Sequence, residues 1–201
     1  MNAQTTPPDP RPVFAAATTW VTELLSAVTA DQFAAPTPCD DFDVRTLGAH
    51  LLATAQRAAA LPAGVDVRSM PFIADRFDAQ EYAAVVARAL ELWSDDATLT
   101  APVQVPWGEV PGAGALWGYV NESLVHGWDL AVATGQPSEA VPKAAAATLA
   151  IARQFIPAEI REDPNVPFGV VVEPRDGAVP TETLANWSGR RSAAWIPAAT
   201  R

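Results

Sequence analysis

Apolar residues recur at helical intervals in several separate stretches of this chain. In "VFAAATTWVTELLSAVTADQF", Phe14, Ala17, Val21, Leu24, Leu25 and Val28 fall on one side of a helix. The prolines of "AAPTPCD" stop it. Asp43 then has the place of an N-cap for a second helix running through Leu47, His50, Leu51 and Ala55 to Leu61, where Pro62 and Gly64 end it. Residues 65–77 read as loop. A third helix follows Asp78, with Tyr82, Val85, Val86, Ala89 and Trp93 on one side. The alternating valines and intervening prolines of "ATLTAPVQVPWGEVPGAG" predict at most an edge hairpin. A fourth helix, Ala113 to Ala133, is apolar around most of its circumference and closes on Gly135. An alanine-rich fifth spans Ser138 to Ile156. Beyond Pro157 the pattern predicts loop, one short strand in "FGVVVE" and a final short helix in "TETLANWSGRR".

These elements predict an all-α helical bundle with a small irregular C-terminal extension. The expected organisation is a flexible polar tail over 1–12, a bundle over 13–157 and an extension over 158–201 packed on it. Composition narrows the functional classes. The formal net charge of −10, with Lys143 the only lysine, disfavours nucleic acid and anionic membranes as partners. No apolar run is long enough to span a bilayer, and "MNAQTTPPDPRPVF" lacks the pattern of a signal peptide, so the expected address is cytoplasmic. The single cysteine, Cys39, excludes an internal disulfide and a cysteine-rich zinc site.

One feature of the apolar fourth helix is out of place: Glu122 and His126, four residues apart in "GYVNESLVHGWDLAVATG". At that spacing a carboxylate and an imidazole can meet at one point. The only other histidine, His50, lies on the second helix and is the natural third donor. Two imidazoles and one carboxylate would leave a divalent ion with an open position, as catalytic rather than structural sites do. A surface Glu–His pair and a hydrogen-bonded core histidine are the plainer alternatives. Against them stands the cost of burying an unpaired carboxylate.

"TPCDDFDVRTLGAHLLA" and "NESLVHGWDLAVATGQP" together resemble the signature stretches of mycothiol-dependent maleylpyruvate isomerase-like proteins, within the wider DinB/YfiT-like superfamily. The chain is most similar to their single-domain actinobacterial branch. The resemblance extends over nearly all of the chain after the tail. It implies a DinB-like up-down four-helix bundle with an extra helix, and a divalent metal, zinc or alternatively nickel, on His50, Glu122 and His126. It further implies a small-molecule thiol such as mycothiol or bacillithiol at the open position, serving isomerase or S-transferase chemistry, and allows a homodimer. The competing reading is a non-catalytic metal- or small-molecule-binding module, a stress-response or sensor protein. The isomerase's additional C-terminal domain has no room in this chain, so its reaction does not carry over. Phe42 stands where many relatives have tryptophan, a packing change.

Other positions carry weaker signals. Asp129 is expected either to accept from an imidazole N–H or to pair with an arginine of a neighbouring helix. Trp117 and Trp128 read as core or dimer-face aromatics, and Cys39 as a small buried hydrophobe. Arg45 reads as a surface residue. Arg190 and Arg191 read as solubilising charges, with closure over a pocket as the alternative. Gly108, Gly112 and Gly114 lack the Lys-Ser/Thr that would follow them in a phosphate-cradling loop.

Overall fold

The computed structural model describes residues 8–139, 141–162 and 168–196. Helix α1 (Arg11–Ala27) has a proline in its first turn, where a missing N–H is harmless. Helix α2 (Val44–Ala60) begins where Asp43 accepts from the Thr46 N–H at 2.7 Å, and α3 (Ala79–Leu92) where Asp78 accepts from the Glu81 N–H at 2.8 Å. Helix α4 (Asp96–Thr100) is a single short turn that the apolar pattern does not predict. The expected hairpin is present, with β1 (Pro102–Val105) antiparallel to β2 (Gly108–Pro111). Helix α5 (Gly112–Thr134) follows at once and ends on Gly135 in the left-handed conformation, φ 70°. Helix α6 (Pro142–Phe155) starts later than expected, on Pro142, which suits a first turn, while Ser138 and Glu139 are not helical.

Four helices enclose the core. Helix α5 packs against α1 and α2, while α3 covers the other side of the same two. Their directions follow from residues that meet. The Trp117 indole at the start of α5 donates to the Pro8 carbonyl at the start of α1, and Trp20 lies against Gly127 further along, so α1 and α5 run the same way. Residues 72–77 return to the beginning of α2: the Ala74 N–H donates to the Ala49 carbonyl and Phe77 sits against Gly48. Helix α3 therefore starts beside the start of α2 and runs parallel to it, its closing Trp93 donating to the Ala58 carbonyl. The bundle reads up, down, down, up. The long connection between α2 and α3 makes parallel neighbours possible.

Helix α5 is buried on nearly every side, with Leu116, Val120, Leu124, Trp128 and Leu130 all inaccessible. Trp117 and Trp128 are core residues, not surface aromatics. No helix is long and apolar enough to cross a membrane among the described residues.

The extension carries α7 (Pro180–Trp187), which packs on α6 and α5. "FGVVVE" forms no strand. Among the described residues no strand lies beside it to pair with, and its Val172 N–H donates instead to the Asn186 carbonyl at the end of α7. Arg161 ties this region together by donating to the carbonyls of Gly169, Ile156 and Trp187 at 2.7–3.1 Å.

Candidate metal centre

Residues four apart on a helix share a face, and on α5 that places Glu122 one turn before His126. Helix α2 runs antiparallel beside it and brings His50 level with them, the two imidazole centroids 4.7 Å apart. The sequence-predicted trio is thus brought together. One donor atom from each residue lies within 4.8 Å of those of the other two.

The orientation of the rings is set from behind. His50 Nδ1 lies 2.7 Å from the Phe72 carbonyl, which can only accept, so that nitrogen carries the proton. His126 Nδ1 faces the Asp129 carboxylate at 3.1 Å and is likewise the donor. In the neutral ring each Nε2 then presents a lone pair, and both turn toward Glu122 Oε2, at 3.5 Å for His50 and 3.4 Å for His126. These separations are too long for good hydrogen bonds. They match the spacing of ligand atoms about an ion, because two donors about 2.1 Å from a common centre at a tetrahedral angle lie roughly 3.4 Å apart. His50 Nε2 is buried with no hydrogen-bond partner. An orphaned lone pair aimed at a carboxylate oxygen fits a cation between them. The donor set, two imidazoles and one carboxylate, suits zinc or nickel better than calcium or magnesium.

Electrostatics follow from this crowding. Burial pushes the Glu122 carboxyl up, but its contacts with His126 and His50 more than reverse that and hold it well below the usual carboxylate range. Burial likewise pulls His126 down, yet Asp129 and Glu122 outweigh it and raise the imidazole to about 9. The two shifts favour an ion pair between His126 and Glu122 at neutral pH.

Asp129 makes both contacts open to it in the sequence. It accepts from His126 on α5, and it is also gripped by Arg190 through three bonds of 2.9–3.0 Å to its two oxygens. Arg190 comes from the extension, just beyond α7, and not from a neighbouring bundle helix. Its solubilising role is therefore corrected: a fully buried carboxylate demands a counter-charge, and Arg190 supplies it. Cys39 completes a second group of potential ligands with His126 and Asp129. That group already contains the Arg190 cation, which leaves no electrostatic need for another. Burial pushes the Cys39 thiol up to about 11, against the pull of Arg190, so it is a poor ligand.

Two contributors escape sequence reasoning. Phe42 is more than packing, since its ring covers both imidazoles at centroid distances of 5.2 and 6.4 Å. Phe72 lies in a segment without helical or strand periodicity, and only its carbonyl touches the site. Arg45 stacks on Phe33 at 4.6 Å, an outer packing role. The site opens to solvent along Glu122, whose side chain remains 31% exposed against 10% for either histidine. Two surface depressions, of about 400 and 450 Å³, lie against α1 with Val141 and beside the 34–43 loop with Trp195. Neither is lined by the three candidate ligands.

A helical bundle with an up-down-down-up course and an inward-facing His–Glu–His cluster is DinB-like in class. The chain belongs to the family described as the mycothiol maleylpyruvate isomerase N-terminal domain, which matches residues 14–131. It is 33% identical over 170 residues to the uncharacterized proteins MT0763 and Rv0738 of Mycobacterium tuberculosis, covering 83% of this chain and 90% of each relative. Its fold is that of the mycothiol-dependent maleylpyruvate isomerase in its crystal structure, with TM-score 0.58 and 19% identity, over 78% of this chain and 70% of the other.

Proposed function

We propose that this protein is a divalent-metal-dependent enzyme of the mycothiol-dependent isomerase or thiol S-transferase type. His50, Glu122 and His126 hold the ion, zinc first and nickel second, and the partner is a small-molecule thiol or thiol adduct. The observation that supports it most is the convergence of both Nε2 atoms on Glu122 Oε2 at 3.4–3.5 Å, with each Nδ1 occupied from behind. In this reading residues 13–157 are the metal-binding unit, and residues 158–201 are an extension packed on it that contributes Arg190.

When bound, such an ion supplies a positive charge that lowers the pKa of a thiol or water beside it. The chain's own residues do the rest. Phe72 and Asp129 hold the imidazoles in the ligating tautomer. Phe42 excludes water from one side of both rings. Glu122 subtracts one charge, leaving a net positive centre that prefers an anionic sulfur. Both histidines are committed to the ion, so neither serves as a general base.

The second reading is a non-catalytic binding module, and one observation favours it. The two histidine side chains are only 10% exposed, and the cluster meets solvent mainly at Glu122. Metal analysis of the purified protein tests the common premise. About one equivalent of zinc or nickel is expected, falling to roughly a tenth or less in His50→Ala and Glu122→Gln. Mycothiol at a hundredfold excess over its Kd should add about 2.7 kcal/mol of stability, while glutathione should add none. Unchanged metal content in both variants would overturn the assignment. Mycothiol binding with no turnover of any thiol adduct would select the module.

A further inference from the structure

Arg57 is a buried arginine whose Nε has no acceptor among the described residues. It lies on α2 seven residues beyond His50, two helical turns along the same face and roughly 10 Å away along the axis. The residue is only 6% exposed. Its Nε is sealed from solvent with nothing to donate to among the described residues. The other buried arginines show what is normal here: Arg161 donates to three carbonyls and Arg190 grips a carboxylate. A guanidinium is charged at every accessible pH, and leaving one of its donors buried without an acceptor is costly.

The place of Arg57 relative to the metal cluster is regular. Tyr119 lies seven residues before His126 on α5, as Arg57 lies seven after His50 on α2. Because the two helices are antiparallel, both residues arrive at one level of the α2–α5 seam, two turns from the histidines, with Tyr119 less than one turn from Glu122. Their proximity shows in the Tyr119 phenol: burial raises it to about 12, while the charge of Arg57 pulls it down and that of Glu122 pushes it up. Tyr119 itself is only 4% exposed. The guanidinium face is covered by the Phe72 ring, 4.1 Å from its centroid. Phe72 itself is 57% exposed, so its ring can leave into solvent without disturbing the core.

The geometry points to Arg57, with Tyr119 beside it, as a subsite for the carboxylate end of an elongated ligand whose other end reaches the His50–Glu122–His126 cluster. Arg57 offers a carboxylate its two-pronged fork, Tyr119 adds a single O–H, and the Phe72 ring is the face that gives way. A carboxylate there gives the Arg57 guanidinium a counter-charge and accepts from the Tyr119 O–H. The ligand spans about two helical turns, the distance from Arg57 to the histidines. The location of the subsite stands on its own residues; the bridging to the metal rests on the function proposed above.

The two parts are tested separately. On metal-free protein, octanoate and octanol are compared by isothermal titration with the wild type, Arg57→Met and Arg57→Gln. Octanoate should bind the wild type roughly ten- to a hundredfold more tightly than octanol, as expected for charge-assisted bonds, and both variants should lose that preference while remaining folded. Arg57→Met should melt at the same temperature or higher, since it removes a buried donor without an acceptor. No preference in the wild type, or a preference that survives in both variants, overturns the subsite. On cobalt-loaded protein, mercaptooctanoate, mercaptooctanol and mercaptoacetate are compared through the thiolate-to-cobalt absorption. Only mercaptooctanoate should gain from both ends. If octanoate binds through Arg57 but no thiol produces the absorption, the thiol function fails and the carboxylate subsite stands. If mercaptooctanoate and mercaptooctanol bind alike, the bridging is wrong.

Discussion

Arg190 and Asp129 form a forked ion pair across 61 residues of sequence, and the same carboxylate holds His126 Nδ1. The extension therefore reaches a metal-ligand candidate through one intermediary. Asp129 has no exposed surface, so its charge is fully dependent on those partners.

Asp129→Asn should damage both stability and metal affinity. It leaves the Arg190 guanidinium without its counter-charge, a loss of about 3–5 kcal/mol in comparable buried pairs. It also weakens the hold on His126, which should cost roughly ten- to a hundredfold in metal affinity. Competition against a chromogenic chelator, with thermal melting alongside, measures both. A variant that binds metal as tightly as the wild type would show that Asp129 has no part in orienting His126.

Metal uptake should release protons. His126 is raised to about 9, so near neutral pH it carries a proton that a ligating imidazole cannot keep. The sign follows: affinity rises with pH and levels off above about 9, where the metal-free ring is already neutral. In weakly buffered solution near pH 7.5, an indicator dye should register about one proton per ion bound. Release of none would mean that His126 remains protonated and does not ligate.

Cys39 should alkylate slowly. Burial lifts its thiol to about 11, so at pH 8 the reactive thiolate is a small fraction. Iodoacetamide should modify it more slowly than a free thiol, with a rate climbing toward pH 11. A rate that is already flat at pH 8 would contradict that environment.

Gly127→Ala should destabilise the bundle without touching a ligand. An added Cβ would lie 2.7 Å from the Trp20 ring, in the contact that lets α1 and α5 approach closely. Overpacking of this kind costs about 1–3 kcal/mol. Thermal melting would show the loss, and metal content should remain near that of the wild type.

Local signals explain what the sequence made legible. Asp43, Asp78 and Gly135 cap helices by interactions within a few residues, so their roles could be read from position alone. Glu122 and His126 are neighbours by helical geometry, and His50 is the only remaining histidine. What was hidden depends on distant partners. The Phe72 carbonyl reaches His50 from 22 residues away. Arg190 finds Asp129 only because α7 packs on α5. The "FGVVVE" stretch has strand-like residues, yet among the described residues no strand lies beside it, and composition cannot reveal a missing neighbour. The parallel course of α2 and α3 was hidden in the same way, because loop length shows that a return is possible and not that it occurs.

The matched family segment, residues 14–131, contains His50, Glu122, His126 and Asp129, while Arg190 lies outside it. Cut at that boundary, the bundle would be a socket with one anion bared at its back. Grafted onto another scaffold, it would need a cation delivered from the new host, and the choice of that graft partner would tune how firmly His126 is aimed.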